Sequence, residues 1–359
     1  MEFVKAERAR GHDVQVICPR ADSAAPCREF AGATVTEVPI AMIRRFSLRQ
    51  SLAFVKAVHR VLAGQTFDVV LVYDFRGCSL LPLMARRHAR VWIANIRNSN
   101  LRRPDFPTRV ADYLTRLEMH AFAAVSITDE PVGKRLLGNL PFTVIPNGAA
   151  VGAFAQGRRQ PLRRELGFTD DDRVIIYMGA IAKQRRPQRI VESFGHAAAA
   201  HPAVKLLLLG DSDLLPALKE QAAHAGLAER AHFPGRVPYA QMPDYLAAGD
   251  IGFAYYPDLP QFDGNIPLKT AEMLAAGLPT VGTDTAGNRF FITHGENGLL
   301  APDDPPALGR ALAQVAADAD LAQRLHAHAR PSVDCYDWDA IVAERLLPLY
   351  RRTLEGRRA

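Results

Sequence analysis

Apolar positions along this chain gather into short runs, each closed by Gly, Asp or Pro and followed by a stretch with helical spacing. Residues 67–73 (FDVVLVY), 90–95 (RVWIAN), 124–128 (AVSIT) and 142–146 (FTVIP) read as strands, as does 13–18 after a Gly11 stop. Amphipathic spacing over 108–122 and 131–137 predicts helices between them. A second series runs through 173–179 (RVIIYMG), 204–211 (VKLLLLGD), 231–235 (AHFPG), 250–256 (DIGFAYY) and 278–284 (LPTVGTD), with a short strand at 298–301. Short strands rich in β-branched residues, alternating with helices, imply parallel sheets with right-handed crossovers. Asn147-Gly148 is a turn, and the small, basic stretch after it, AAVGAFAQGRRQP, reads as a linker. The expectation is α/β: two doubly wound, Rossmann-like domains, 1–155 and 156–335, facing a cleft in which the ligand lies. Residues 336–359 read as a terminal amphipathic helix.

The opening, MEFVKAERARGHDVQVICP, reads as the later turns of a helix followed by a strand. An α/β domain normally starts with a strand and a loop before that helix, so the first strand and loop of the N-terminal domain are expected to be missing.

Length and composition narrow the class. At 359 residues, with apolar content of 48%, the chain can bury two sizeable cores. Its net charge of +6 suggests anionic partners, but no basic run interleaved with aromatics appears, so nucleic acid is not expected. Cys18, Cys27, Cys78 and Cys335 are scattered without CxxC spacing, which argues against zinc and a disulfide framework and fits a reducing cytosol. No apolar run approaches the ~20 residues that span a bilayer. No Walker loop, G-x-S-x-G elbow, HExxH motif or G-x-G-x-x-G fingerprint is present.

The stretch 265–281, NIPLKTAEMLAAGLPTV, compresses the most chemistry. Asn265 can cap a helix, Pro267 suits its first turn, and Gly277 with Pro279 stops it. Lys269 and Glu272, three apart, share one face. A helix start favours anions through oriented amides; Lys269 adds a full charge, and Glu272 can accept from sugar hydroxyls. A solvated Lys–Glu pair explains the same residues, and the stretch alone leaves both readings open. Gly179 closes a strand before a loop holding Lys183, Arg185 and Arg186, the placement a diphosphate needs, or else a solvated basic loop. Gly210 permits close backbone approach, while capping through Ser212 or Asp213 accounts for Asp211. Arg236 and Val237, in FPGRVP, suit either nucleobase contacts or a tight turn, and Thr285, Ala286, Gly287 and Asn288 open a further helix start. In the first series, Arg97, Asn98 and Asn100 follow a strand and face either an acceptor or solvent. The basic amphipathic stretch 43–64 sets Phe46, Leu52, Val55 and Val58 against Arg44, Arg45, Arg49, Lys56 and Arg60. It suits an anionic membrane face, although packing on its own sheet needs fewer assumptions.

In this order, RGHDVQVICP, VIPNG, YMG with Arg185 and IVESF, LLLLGD, HFPGRVP, AAGDIGFA, AEMLAAGLPTV, NGLLAP and YDWDAIVAERLLPLY resemble the retaining glycosyltransferases with the GT-B fold, group four type. The match spans nearly the whole chain. The resemblance implies a nucleotide-sugar donor on the C-terminal domain, an acceptor on the N-terminal one, and a closing helix, 336–359, that returns to the latter. Arg185 takes the place of the family's diphosphate-binding Lys and Glu272 that of the ribose-contacting carboxylate, with Lys269 completing the catalytic set. Donor contacts fall to Gly179, Lys183, Gly210, Asp211, Arg236, Val237, Asn265, Ile266, Pro267, Leu268, Thr285, Ala286 and Gly287, and acceptor contacts to Arg97, Asn98 and Asn100. No cofactor and no metal is implied, because cations and amides stabilise the departing diphosphate. This chain has Ala180 where the family carries Arg, Gly264 where it carries a first glutamate, and Asn98 where a subgroup carries Asp. The pattern from Pro267 to Glu272, P-x-K-x-x-E, is similar to a subgroup of bacterial surface-polysaccharide enzymes.

The implied activity is transfer of a hexose, with retention, from a UDP- or GDP-sugar to a polysaccharide or lipid-linked glycan. The implied setting is the cytoplasm, with peripheral contact to the inner membrane face. A GT-B sugar-nucleotide epimerase and a non-catalytic nucleotide-sugar-binding scaffold are the alternatives.

Overall fold

The apolar runs become strands. The computed structural model describes residues 2–20, 28–41, 48–97, 106–259, 262 and 266–356. It divides into two units, Met1–Pro146 with Trp338–Ala359, and Asn147–Asp337.

In the second unit, β8 (Arg173–Met178), β9 (Val204–Leu209), β10 (Ala231–Gly235), β11 (Ile251–Ala254), β12 (Thr280–Thr283) and β13 (Gly298–Ala301) form one sheet. The sheet runs in the order β10-β9-β8-β11-β12-β13 and every pairing in it is parallel. Alternate side chains of β8 and β9 enter two different cores. Ile175, Tyr177, Leu206 and Leu208 meet Phe194, Leu308 and Leu312 on one face. Val174, Ile176, Met178, Leu207 and Leu209 meet Phe154, Met273 and Leu274 on the other. A sheet buried on both faces needs apolar residues at every position, which is why these runs are unbroken. The stretch expected as a linker instead folds into helices Val151–Phe154 and Arg159–Glu165. Its small, basic composition hid Val151 and Phe154, which sit at helical spacing and are buried.

In the first unit the strands are β1 (Gln15–Arg20), β2 (Glu29–Phe30), β3 (Ala33–Ala41), β4 (Phe67–Tyr73), β5 (Ala89–Ile96), β6 (Ala124–Ile127) and β7 (Thr143–Val144). They are hydrogen-bonded in two groups, β1-β3-β2 and β4-β5-β6-β7, rather than in one continuous sheet. The sequence reading passed over β3, where Thr34, Thr36 and Glu37 dilute the apolar signal and Pro39 argues against a strand. Part of the stripe of helix Leu48–Leu62 packs inward: Val55, Val58 and Leu62 join the core with Val38 and Val72, whereas Leu52, expected on the same stripe, is exposed. Residues 43–47 of that expected helix lie outside the described residues.

The closing segment joins the first unit's core through Ile341, Val342, Leu346, Leu347 and Leu349, which pack with Phe3, Ile93 and Ile145. It contains a π turn, Val342–Leu346, ahead of helix Leu347–Glu355. Pro348 lacks an N–H and its ring crowds the carbonyl four residues earlier, so the wider turn accommodates it. No helix among the described residues is long and apolar enough to cross a membrane.

Candidate active site

The site of the second unit forms where β8 and β9 end. Gly179 and Gly210 have φ of 145° and 151°, in the region that favours glycine. A Cβ on Gly210 would run into the Gly179 carbonyl oxygen, and one on Gly179 would meet the Lys269 side chain. The end of β8 therefore brings bare backbone against a buried cation, and the end of β9 lies against Gly179.

That cation comes from helix Leu268–Ala275. Lys269 is only 9% exposed, and its Nζ donates to the Tyr255 carbonyl at 2.8 Å. The ammonium lies 4.3 Å from the Tyr177 ring centroid and 4.9 Å from that of Tyr256. Arg185 stands over the same Tyr256 ring at 5.0 Å. Burial, and then the neighbouring Arg185 charge, push the Lys269 pKa well down. The reading of Lys269 as half of a solvated pair with Glu272 is thus replaced. Glu272 has a different partner, the Tyr239 hydroxyl, which donates to Oε1 at 2.8 Å. Burial raises the Glu272 carboxyl to about 7, against the lowering effect of that hydrogen bond.

The basic loop is a single 3₁₀ turn, Lys183–Arg185, and Arg186 at φ 48° carries the chain into helix Gln188–Ala200. Asp303 gathers its far side. Its carboxylate accepts from Arg189 at 2.8 Å, from the Tyr255 hydroxyl at 3.1 Å and from the Asp258 amide at 3.1 Å.

Other expected positions are placed less centrally. Lys183, Asp211, Arg236, Leu268 and Ala286 are exposed, Val237 and Ile266 are half-buried, and Pro267 and Gly287 are buried. Pro267 occupies the N-cap of its helix, in an extended conformation and without a side-chain cap bond, and Asn265 lies outside the described residues. Asp211 caps nothing: helix Leu215–His224 has no side-chain cap bond, and Ser212 Oγ accepts from the Leu214 amide. Thr285 caps helix Ala286–Arg289 by accepting from Asn288. Asn288 is wholly buried and ties Thr270 to the Ala254 and Thr283 carbonyls. Gly277, at φ 80°, closes helix Leu268–Ala275 as expected, with the Leu278 amide returning to the Met273 carbonyl.

The first unit carries its own polar cluster at the ends of β4 and β5. Arg97 donates to Asn95 Oδ1 and to the Pro146 carbonyl, both at 3.1 Å, and stacks 4.5 Å from the Phe3 ring. Its amide donates to Asp74, whose carboxyl burial pushes up to about 6. Tyr350 donates to Glu7 at 3.0 Å. Asn98 and Asn100 lie outside the described residues. Among the described residues no group of three or more His, Cys, Asp or Glu is placed to hold a metal ion.

Residues 158–331 match the family model of glycosyl transferases group 1, and residues 1–148 match that of the glycosyl transferase 4-like domain. The chain belongs to these glycosyl transferases. The transferase is 26% identical to the phosphatidyl-myo-inositol mannosyltransferase of Mycobacterium tuberculosis, over 98% of this chain and 91% of that one. Its fold is that of sucrose-phosphate synthase from Thermosynechococcus elongatus, with TM-score 0.78 and 19% identity over 99% of this chain and 92% of the other. It also matches Anabaena HepE, solved in complex with UDP and glucose, with TM-score 0.66 and 17% identity over 89% and 87% of the two chains. The transferase therefore has the GT-B fold of two Rossmann-like domains.

Of the residues the sequence reading names, the structure brings Gly179, Gly210, Arg185 and Lys269 together and pairs Glu272 with Tyr239; that reading did not name Tyr177, Tyr239, Tyr255, Tyr256 or Asp303. Three of these tyrosines end apolar strand runs, where an aromatic reads as core. Only their position at the carboxyl ends of β8 and β11 could have marked them.

Proposed function

We propose that this transferase moves a hexose, with retention of configuration, from a UDP- or GDP-sugar to a lipid-linked or polysaccharide acceptor. The observation that carries the reading is the shared Tyr256 ring, with Lys269 on one side of it and Arg185 beside it, next to the bare backbone of Gly179. Two cations on one ring suit a diphosphate, whose negative charge grows as the glycosidic bond breaks. Lys269, whose protonated form is disfavoured by burial and by Arg185, gains most from such a counter-charge. Glu272 accepts from the donor ribose. The acceptor hydroxyl attacks on the face from which the diphosphate leaves, and no metal takes part. The Mycobacterium relative, a mannosyltransferase of phosphatidylinositol, and the UDP held by HepE support both donor and acceptor class.

Arg185→Ala is expected to raise donor KM or abolish turnover, at a level of at least about tenfold in kcat/KM, because one charge-assisted contact to phosphate is removed. Steady-state kinetics with UDP- and GDP-hexoses check this. Unchanged kinetics in that variant, or no calorimetric binding of any nucleotide sugar to the wild-type chain, would overturn the assignment.

A further inference from the structure

A single carboxylate after β13 joins the two segments that present Arg185 and Tyr256. Asp303 stands just ahead of helix Pro305–Ala317, whose Leu308 and Leu312 are wholly buried and pack with Phe194 of helix Gln188–Ala200. Its neighbour Asp304 caps that helix by accepting from the Ala307 amide at 3.0 Å, so the backbone here is set by the core. Asp303 does not share this capping role. Its side chain is 9% exposed and bonds to two other segments of the chain.

On one side it holds the start of helix Gln188–Ala200. Arg189 donates to Oδ1 at 2.8 Å and also to the Asp303 carbonyl, and Arg186 lies 3.9 Å from Oδ2. Pro187 occupies the N-cap of that helix without a side-chain cap bond. The ion pair therefore fixes the helix start, and with it the Lys183–Arg185 turn that leads in. A carboxylate at this end also agrees with the helix dipole.

On the other side it holds the chain that follows β11. Oδ1 accepts from the Tyr255 hydroxyl and Oδ2 from the Asp258 amide, both at 3.1 Å. These two bonds bracket Tyr256, whose ring faces Arg185 at 5.0 Å and Lys269 at 4.9 Å. Within the same bracket the Tyr255 carbonyl accepts from Lys269 Nζ. Arg189 and Arg186 offset the charge of Asp303, whereas Arg185 is directed to the Tyr256 ring.

We propose that Asp303 is a positioning residue for the donor diphosphate: by locking the Lys183–Arg185 turn to residues 255–258, it sets the spacing of Arg185 and Lys269 across the Tyr256 ring. This role rests on the diphosphate reading of the same site. Asp303 acts only through the groups it holds.

Calorimetric titration of the full chain with UDP and GDP, beside UMP and GMP, tests the role, together with kinetics on the UDP- and GDP-hexoses. Asp303→Ala should weaken binding of the nucleoside diphosphate, and raise donor KM, about tenfold, as for a phosphate contact that is misplaced rather than removed. The monophosphate should lose at most about twofold, because the spacing of two cations matters to two phosphates. Tyr255→Phe removes one tie and keeps the ring; it should weaken the diphosphate about threefold and carries the test if Asp303→Ala fails to fold. Asp304→Ala should lower the thermal midpoint through loss of the cap and leave diphosphate binding unchanged. Wild-type diphosphate affinity in both Asp303→Ala and Tyr255→Phe overturns the positioning role. So does equal weakening of mono- and diphosphate, or an Asp304→Ala loss that matches that of Asp303→Ala. A wild-type chain that binds none of the four nucleotides and turns over neither sugar nucleotide overturns the donor reading, and this role with it.

Discussion

At Glu272 burial and one hydrogen bond pull a single carboxyl in opposite directions. Its carboxyl is raised to about 7 by burial, while the hydrogen bond from Tyr239 works in the opposite direction. A ribose hydroxyl needs the carboxylate as its acceptor, so donor affinity is expected to fall as pH drops through about 7. The stability of the unliganded chain has the opposite sign. A carboxyl whose folded pKa is raised contributes stability that is present below the ordinary glutamate range and lost as pH rises through the folded value. Tyr239→Phe removes a bond that favours the charged form. Donor KM near neutral pH should rise about three- to tenfold with kcat little changed, as for loss of a bond to a charged group at a partly exposed site. The pH midpoint of donor binding should move upward. In a Glu272→Gln background the tyrosine substitution should have no further effect on KM; a full additional loss there would separate Tyr239 from Glu272.

Among the elements, the carboxyl ends of the second unit's strands were legible because a doubly covered sheet writes its strands as unbroken apolar runs. What was not legible depends on contacts far apart in sequence. Asp303 reaches Arg189 across 114 positions, and Asp250 reaches Arg163 across 87. No local spacing encodes such pairs. The cap at Pro267 was misread because Asn265 has the better intrinsic preference, and propensity is a weak guide where tertiary contacts place the chain. The first unit's β3 was missed for the same kind of reason, since its burial comes from pairing with β1 and β2 rather than from its composition. Asp250 carries a prediction at this scale. It binds Arg159 at 2.5 Å and Arg163 at 3.0 Å, and accepts from the Val174 amide at 2.8 Å, so it ties helix Arg159–Glu165 to the start of β8. The Arg163 side chain is 1% exposed. Asp250→Ala leaves that guanidinium buried without its carboxylate, and a loss of about 3–5 kcal/mol is expected, read from urea unfolding. A loss below about 1 kcal/mol would show that the Ala248, Thr169 and Asp172 carbonyls, which also accept from Arg163, suffice alone.

At the scale of the whole molecule, the chain passes from one unit to the other twice, after Pro146 and after Asp337. The second unit is therefore continuous in sequence while the first is assembled from both ends of the chain. This asymmetry predicts unequal consequences of truncation. Ending the chain at Asp337 removes Ile341, Val342, Leu346, Leu347 and Leu349 from the core they share with Phe3, Ile93 and Ile145. It also removes Tyr350 from Glu7, and Asp339 from the guanidinium of Arg10. Burying one such aliphatic side chain contributes about 1.5–3 kcal/mol, so losing five rivals the 5–15 kcal/mol that separates a typical folded domain from its unfolded state. The first unit should lose its cooperative unfolding transition in that truncation, while the second unit keeps its own. Residues 147–337 expressed alone should fold, because their two cores draw on no residue outside that range. Calorimetric titration with UDP and GDP then isolates the donor reading. Binding by residues 147–337, lost in Lys269→Met, places nucleotide recognition in this unit alone; a folded fragment that binds neither nucleotide argues that Lys269 and Arg185 serve some other anion.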